Sequence, residues 1–146
     1  MAAPRIDVRG TYQLTIEAPS QCRGLVPEPL LTRRYTAEIK QSGALLYGIV
    51  SGANFDGERN FFQGVVNPTT ISLTFLSDPY YPDFFYLVEI VDDATYLAIS
   101  GGALLTANGR NFAGPFSGSF LLVPSNPPRA PPRVRCSGSS RLTLTR

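Results

Sequence analysis

The sequence predicts an all-β domain, a single antiparallel barrel or sandwich of about 8–10 short strands. Three observations predict it. Apolar and polar residues alternate with period two along most of the chain, and no convincing 3.6-residue periodicity appears. Turn signals recur roughly every 8–12 residues, the spacing of short-stranded β domains. The 146 residues include 13 Gly and 13 Pro, enough to supply those turns. At 43% hydrophobic and 16% charged, the chain is too apolar for intrinsic disorder. Its length gives one domain over residues 1–146, with enough surface to bury for an independent core.

Taken in order, residues 11–17 set Tyr12, Leu14 and Ile16 on one face. Residues 34–41 do the same with Tyr35, Ala37 and Ile39, with Arg34, Thr36, Glu38 and Lys40 opposite. Ser42-Gly43 is a turn signal and residues 44–50 read as the return strand. Residues 54–60 read as a polar loop, 61–66 as a strand and 67–70 as a turn. Ile71, Leu73 and Phe75 share the core face of the next strand. Residues 77–83 form a Pro/Tyr loop, followed by the most apolar strand, 84–91, which Asp92-Asp93 ends. Residues 95–100 and 103–106 flank Gly101-Gly102 as a second hairpin, and Asn108-Gly109 is a strong turn dipeptide. In 112–120, Phe112, Phe116 and Phe120 alternate with Gly114 and Gly118 on one face. Large and small residues in alternation suit the tapering interior of a barrel. A Pro-rich connector, 124–133, leads to a last strand at 141–146; its prolines make it extended and semi-rigid.

Gly10-Thr11-Tyr12 opens the first strand, and Arg141 or Arg146 lies on the last. This resembles the lipocalin-type arrangement, in which a G-x-W on the first strand lies under an Arg from the last strand. Here Tyr12 stands where the pattern has Trp. The pattern is also similar to small secreted bacterial β-barrel proteins. The resemblance implies a closed antiparallel barrel with adjacent termini, a geometry that a Cys22–Cys136 bridge would fit.

Composition excludes several chemistries. Histidine is absent, which removes Ser-His-Asp and Cys-His catalysis, His-ligated zinc and histidine pH switches. Lys40 is the one lysine among 13 basic residues, so there are few amines for Schiff-base chemistry. A net charge of +2 does not point to nucleic acid, although the arginines of the C-terminal stretch give it a local basic character. No apolar run is long enough for a membrane-spanning helix. No signal peptide is visible at the start. Cys22 and Cys136 form no C-x-x-C. They read either as a structural disulfide, which points to an oxidising, extracellular compartment, or as two free thiols.

Few residues suggest a reactive site. Asp92 and Asp93 read as a solvated turn rather than a catalytic pair. Asn54, Asp56 and Glu58 faintly resemble the start of a calcium loop but lack its later glycine and glutamate. Glu89 shares a face with Phe85, Leu87 and Val91. If that face is internal, it is a buried carboxylate with an arginine partner or a raised pKa. Tyr80 and Tyr81 are candidate contact residues, because tyrosine joins apolar area to a polar tip. Tyr12, Phe112, Phe116, Phe120 and Glu89 are candidates for the barrel interior. Arg141, Leu142 and Leu144 are candidates for strand addition to a neighbouring subunit, unless the last strand closes its own barrel. No catalytic, cofactor or metal residues are expected. The expected function is that of a non-catalytic, self-associating subunit of an extracellular assembly such as a fibre. The alternative is a lipocalin-like barrel that binds a small apolar molecule or a glycan.

Overall fold

The computed structural model describes residues 6–76, 86–124 and 131–146. Successive side chains of a strand point to opposite faces, so the period-two pattern decides which half of most strands is buried. In β1 (Gly10–Glu17) the buried set is Tyr12, Leu14 and Ile16. In β2 (Thr32–Ser42) it is Tyr35, Ala37 and Ile39. β3 (Leu45–Ser51) turns Leu46 and Val50 inward, and β4 (Phe55–Val66) turns Phe62 and Val66 inward. β5 (Thr70–Phe75) buries Ile71, Leu73 and Phe75, and β6 (Leu87–Asp92) buries Leu87 and Glu89. β7 (Thr95–Asn108), β8 (Asn111–Pro124) and β9 (Val134–Thr145) complete the sheet; β6 to β8 also bury Val88, Ala98 and Leu121 as a second cluster. Phe112, Phe116 and Phe120 all face the interior, as their alternation with glycine predicts.

The strands run up and down in chain order, β1-β2-β3-β4-β5-β7-β8-β9, and β9 pairs with β1 to close the ring. β4 also pairs with β3, so the result is an eight-stave antiparallel barrel. β6 shares a stave with β5. The second half of β4 pairs with β5 (Gln63↔Thr74 to Val66↔Ile71), and its first half pairs with β6 (Phe55↔Glu89, Asn60↔Leu87). β7 divides in the same way, with Phe75↔Gly101 followed by Leu87↔Ile99. Thus β5 and β6 are two halves of one stave, and residues 77–85 are inserted between them. The Tyr86 N–H donates to the Leu76 carbonyl at 2.9 Å and closes the base of that insertion.

Four sequence expectations need correction. Gly101-Gly102 is not a turn: it lies inside the 14-residue β7. A Cβ on Gly101 would sit 2.4 Å from the Ser117 carbonyl oxygen. The glycine therefore permits close approach of β8. Residues 54–60 are not a loop. From Phe55 they belong to β4, with a register shift between Phe55 and Asn60 and a left-handed Gly57. The last strand begins at Val134, not at 141, and pairs with β8 from Leu122↔Val134 onward. Leu142 and Leu144 are not surface contacts. Both are fully buried, and both edges of β9 are used within the chain: Leu142 pairs with Ile16 and Gly114, and Leu144 with Leu14 and Phe112. Arg141 is exposed. Tyr80, Tyr81, Phe84, Phe85 and residues 125–130 of the connector lie outside the described residues.

Candidate functional site

Side chains occupy the middle of the barrel. Phe62 and Phe75 pack at 5.3 Å between ring centroids, and Phe75 and Phe116 at 6.1 Å. Gly48 faces this layer from β3, and a Cβ there would lie 2.1 Å from Cζ of Phe62. The phenylalanine ring takes the volume that a side chain at 48 would need. Large residues opposite glycines pack this layer of the interior.

Polar groups meet this core at two places, one at an exposed end of the barrel and one buried. At the first, Arg146 crosses the ring of Tyr12, with its guanidinium carbon 4.7 Å from the centroid. Arg146 Nη2 donates to the Arg9 carbonyl at 3.0 Å and also to the Tyr12 hydroxyl, which donates to the Val8 carbonyl at 2.8 Å. Gly10 leaves room for this guanidinium, because a Cβ there would lie 3.5 Å from it, and its φ of 146° favours glycine. The arrangement ties the last residue to the first strand, as the lipocalin-type resemblance implies.

At the second place, Glu89 is buried on β6 and bonded to β2, with β3 and β4 intervening in the ring. Arg33 grips the carboxylate in a fork, Nε to Oε1 at 2.9 Å and Nη2 to Oε2. The Tyr35 hydroxyl donates to Oε1 at 2.7 Å. Burial, and then the adjacent Glu89 charge, push the Tyr35 hydroxyl well above the ordinary tyrosine range. A carboxylate with three donors to its two oxygens is an ion-pair cross-link between non-adjacent staves. The internal, arginine-paired reading of Glu89 therefore holds.

Cys22 and Cys136 form a disulfide with a Cα–Cα distance of 5.3 Å. It anchors the 3-10 turn Ser20–Cys22, in the segment between β1 and β2, to β9. Of the other acidic candidates, Asp92 accepts from the Ala94 N–H and caps the β6–β7 turn. Asp56 lies 3.6 Å from Arg59. Among the described residues, no three Cys, Asp or Glu side chains are grouped to hold a metal.

Among the described residues, an apolar feature on the outer face is unassigned. Leu45, Tyr47, Ile49, Val65, Leu76 and Leu104 are 38–65% exposed. Strand pairing makes them neighbours: Leu45↔Val65, Val65↔Ser72 and Ser72↔Leu104 form one continuous row across β3, β4, β5 and β7. Three inter-strand steps of roughly 4.8 Å make that row about 14 Å wide. An aromatic track runs beside it. Tyr47 stacks on Phe61 at 5.5 Å, and Phe61 on Tyr86 at 4.5 Å. Between them lies a groove of about 510 Å³ lined by Leu45, Tyr47, Val65, Thr74 and Leu76, with Lys40 as the one charged side chain among its described lining residues. Contiguous exposed apolar surface of this kind marks an interaction site more often than a bare wall.

Sequence reasoning missed this wall, because in 44–50 both phases of the alternation are apolar and neither is marked as the outer one. It also missed Arg33 and Tyr35 as partners of Glu89. The available signal was that Arg33 is in phase with Tyr35, Ala37 and Ile39 and so belongs to the inner face. Comparisons of the chain with family models, with curated proteins and with solved structures found no match.

Proposed function

We infer that the protein is a non-catalytic, self-associating subunit of an extracellular assembly. Its working surface is the outer wall of β3, β4, β5 and β7. The observation that carries this reading is the row Leu45–Val65–Ser72–Leu104 with its flanking Tyr47, Ile49 and Leu76, which leaves large apolar side chains in water on one side of the barrel. The packed Phe62–Phe75–Phe116 layer across the barrel favours an external working surface over a lipocalin-like lumen for a small apolar molecule or a glycan. The buried disulfide supports an oxidising compartment. The Tyr12–Arg146 stack and the up-and-down order support a distant lipocalin-type architecture. Strand addition by β9 is replaced by face-to-surface contact, since β9 closes its own ring.

Sedimentation velocity over micromolar to millimolar protein tests the reading. The wild type is expected to gain mass with concentration. The Leu45→Glu/Val65→Glu variant, which sets two charges in the centre of the wall, is expected to stay monomeric with an unchanged melting profile. A wild type that remains monomeric throughout would count against the reading.

A further inference from the structure

We propose that the occupant of the apolar wall is the 77–85 segment of a second copy of this chain, so that subunits join head to tail. The inference rests on the self-association reading and names its partner. Three observations carry it. The first is where the segment leaves the barrel. It is inserted within one stave, and its base is the Leu76–Tyr86 hydrogen bond. Leu76 lines the groove, and Tyr86 ends the aromatic track through Phe61 to Tyr47. The two described residues that flank the segment, Leu76 and Tyr86, therefore adjoin the acceptor wall.

The second observation is composition. Ser-Asp-Pro-Tyr-Tyr-Pro-Asp-Phe-Phe contains four aromatic residues in nine, two prolines and two aspartates, with no basic residue. Tyr and Phe supply large contact area at low entropic cost, and proline limits the conformations lost on docking. Asp78 and Asp83 complement Lys40, the one charge in the described groove lining. A wall-to-wall dimer would instead bring two copies of Lys40 toward one apolar seam. The third observation is that large apolar side chains of the wall stand exposed, Leu45 to 65% and Leu104 to 52%.

Two different surfaces in contact make a heterologous interface, which builds a ring if its rotation closes and a filament if it does not. It also differs from an isologous dimer in a way that two variants read out. One variant replaces 77–85 by a Gly/Ser segment of equal length, which keeps the Leu76–Tyr86 base and changes little in loop-closure entropy. A milder form, Tyr80→Ser/Tyr81→Ser, guards against a folding defect in the replacement. The other variant is Leu45→Glu/Val65→Glu. Each is measured alone and mixed, by light scattering after size exclusion.

Each variant alone is expected to lose at least tenfold in association, and the mixture is expected to form a 1:1 complex that grows no further. That complex arises because each partner keeps the one surface the other lacks. Lys40→Glu is expected to weaken association up to about fivefold, as a partly exposed charge pair does. If the segment variants associate like the wild type while the wall variant does not, the wall pairs with itself and the proposal is overturned, with self-association intact. The proposal is overturned in the same way if both are monomeric and the mixture stays monomeric. If the wall variant associates like the wild type, the underlying reading fails as well.

Discussion

Replacing Arg33 with Met tests the most demanding polar contact in the barrel. Glu89 accepts three hydrogen bonds, two from Arg33 and one from Tyr35. The substitution removes the two charged donors and leaves the carboxylate, 7% exposed, with the tyrosine hydroxyl alone. Breaking a fully buried pair from one side costs roughly 3–5 kcal/mol. Arg33 is 20% exposed, so the cost is scaled down to about 2–4 kcal/mol. In a chain of this size that lowers the melting temperature by roughly 6–12 °C.

The converse change, Glu89→Leu, costs less, about 1–2 kcal/mol, because the freed guanidinium can turn toward water on its flexible stem. The double variant Arg33→Met/Glu89→Leu leaves no unpaired charge and is expected within about 1 kcal/mol of the wild type. Urea unfolding of all four proteins, with the slope checked for constancy, closes the cycle. A loss below about 1 kcal/mol for Arg33→Met, or a double variant equal to the sum of the singles, would refute the view that the pair is a desolvated cross-link.

Other expectations follow from the same geometry. Tyr35 has a folded-state pKa above its unfolded value. Its contribution is therefore complete below about pH 10, where free tyrosine ionises, and is lost as pH rises beyond that. The wild type should lose stability above about pH 10 more steeply than Tyr35→Phe, read by denaturant titration at each pH. Arg146→Met should cost about 1–2 kcal/mol by removing the guanidinium from Tyr12 and its bond to Arg9, and Arg146→Lys should recover only part of it. Replacing Cys22 and Cys136 by Ala should cost roughly 4–5 kcal/mol on the chain-entropy account of a loop this long, read as the difference in unfolding midpoint. Gly48→Ala should destabilise by roughly 1–3 kcal/mol through overpacking against Phe62, and Phe62→Leu should relieve part of that loss.

The sequence carried the barrel because one face of most strands is buried and the alternation records it. Tyr12, Leu14 and Ile16, or Phe112, Phe116 and Phe120, allow only one assignment of inner and outer face. Glycine was read less well, since its meaning depends on what approaches it. Asn108-Gly109 is a turn with a left-handed glycine, whereas Gly101-Gly102 lies mid-strand where the β8 backbone comes within a Cβ's reach. The shared stave of β5 and β6 was illegible because it depends on β4 and β7 each being long enough to serve two partners. Period two also says nothing where both phases are apolar, and this hid the wall at Leu45, Tyr47 and Ile49. Arg33 was overlooked because a charged residue in an inward phase looks like a strand boundary until its carboxylate partner on β6 is placed opposite.

The central claim is that the outer wall of β3, β4, β5 and β7 is covered when the protein is concentrated. Methyl NMR with a soluble paramagnetic probe measures this residue by residue. At low concentration the methyls of Leu45, Ile49, Val65 and Leu104 should relax strongly. At high concentration they should be shielded, while the exposed Thr11 methyl on β1 and the half-buried Thr143 and Thr145 methyls on β9 keep their enhancement. Equal enhancement of the wall methyls at both concentrations would contradict the account.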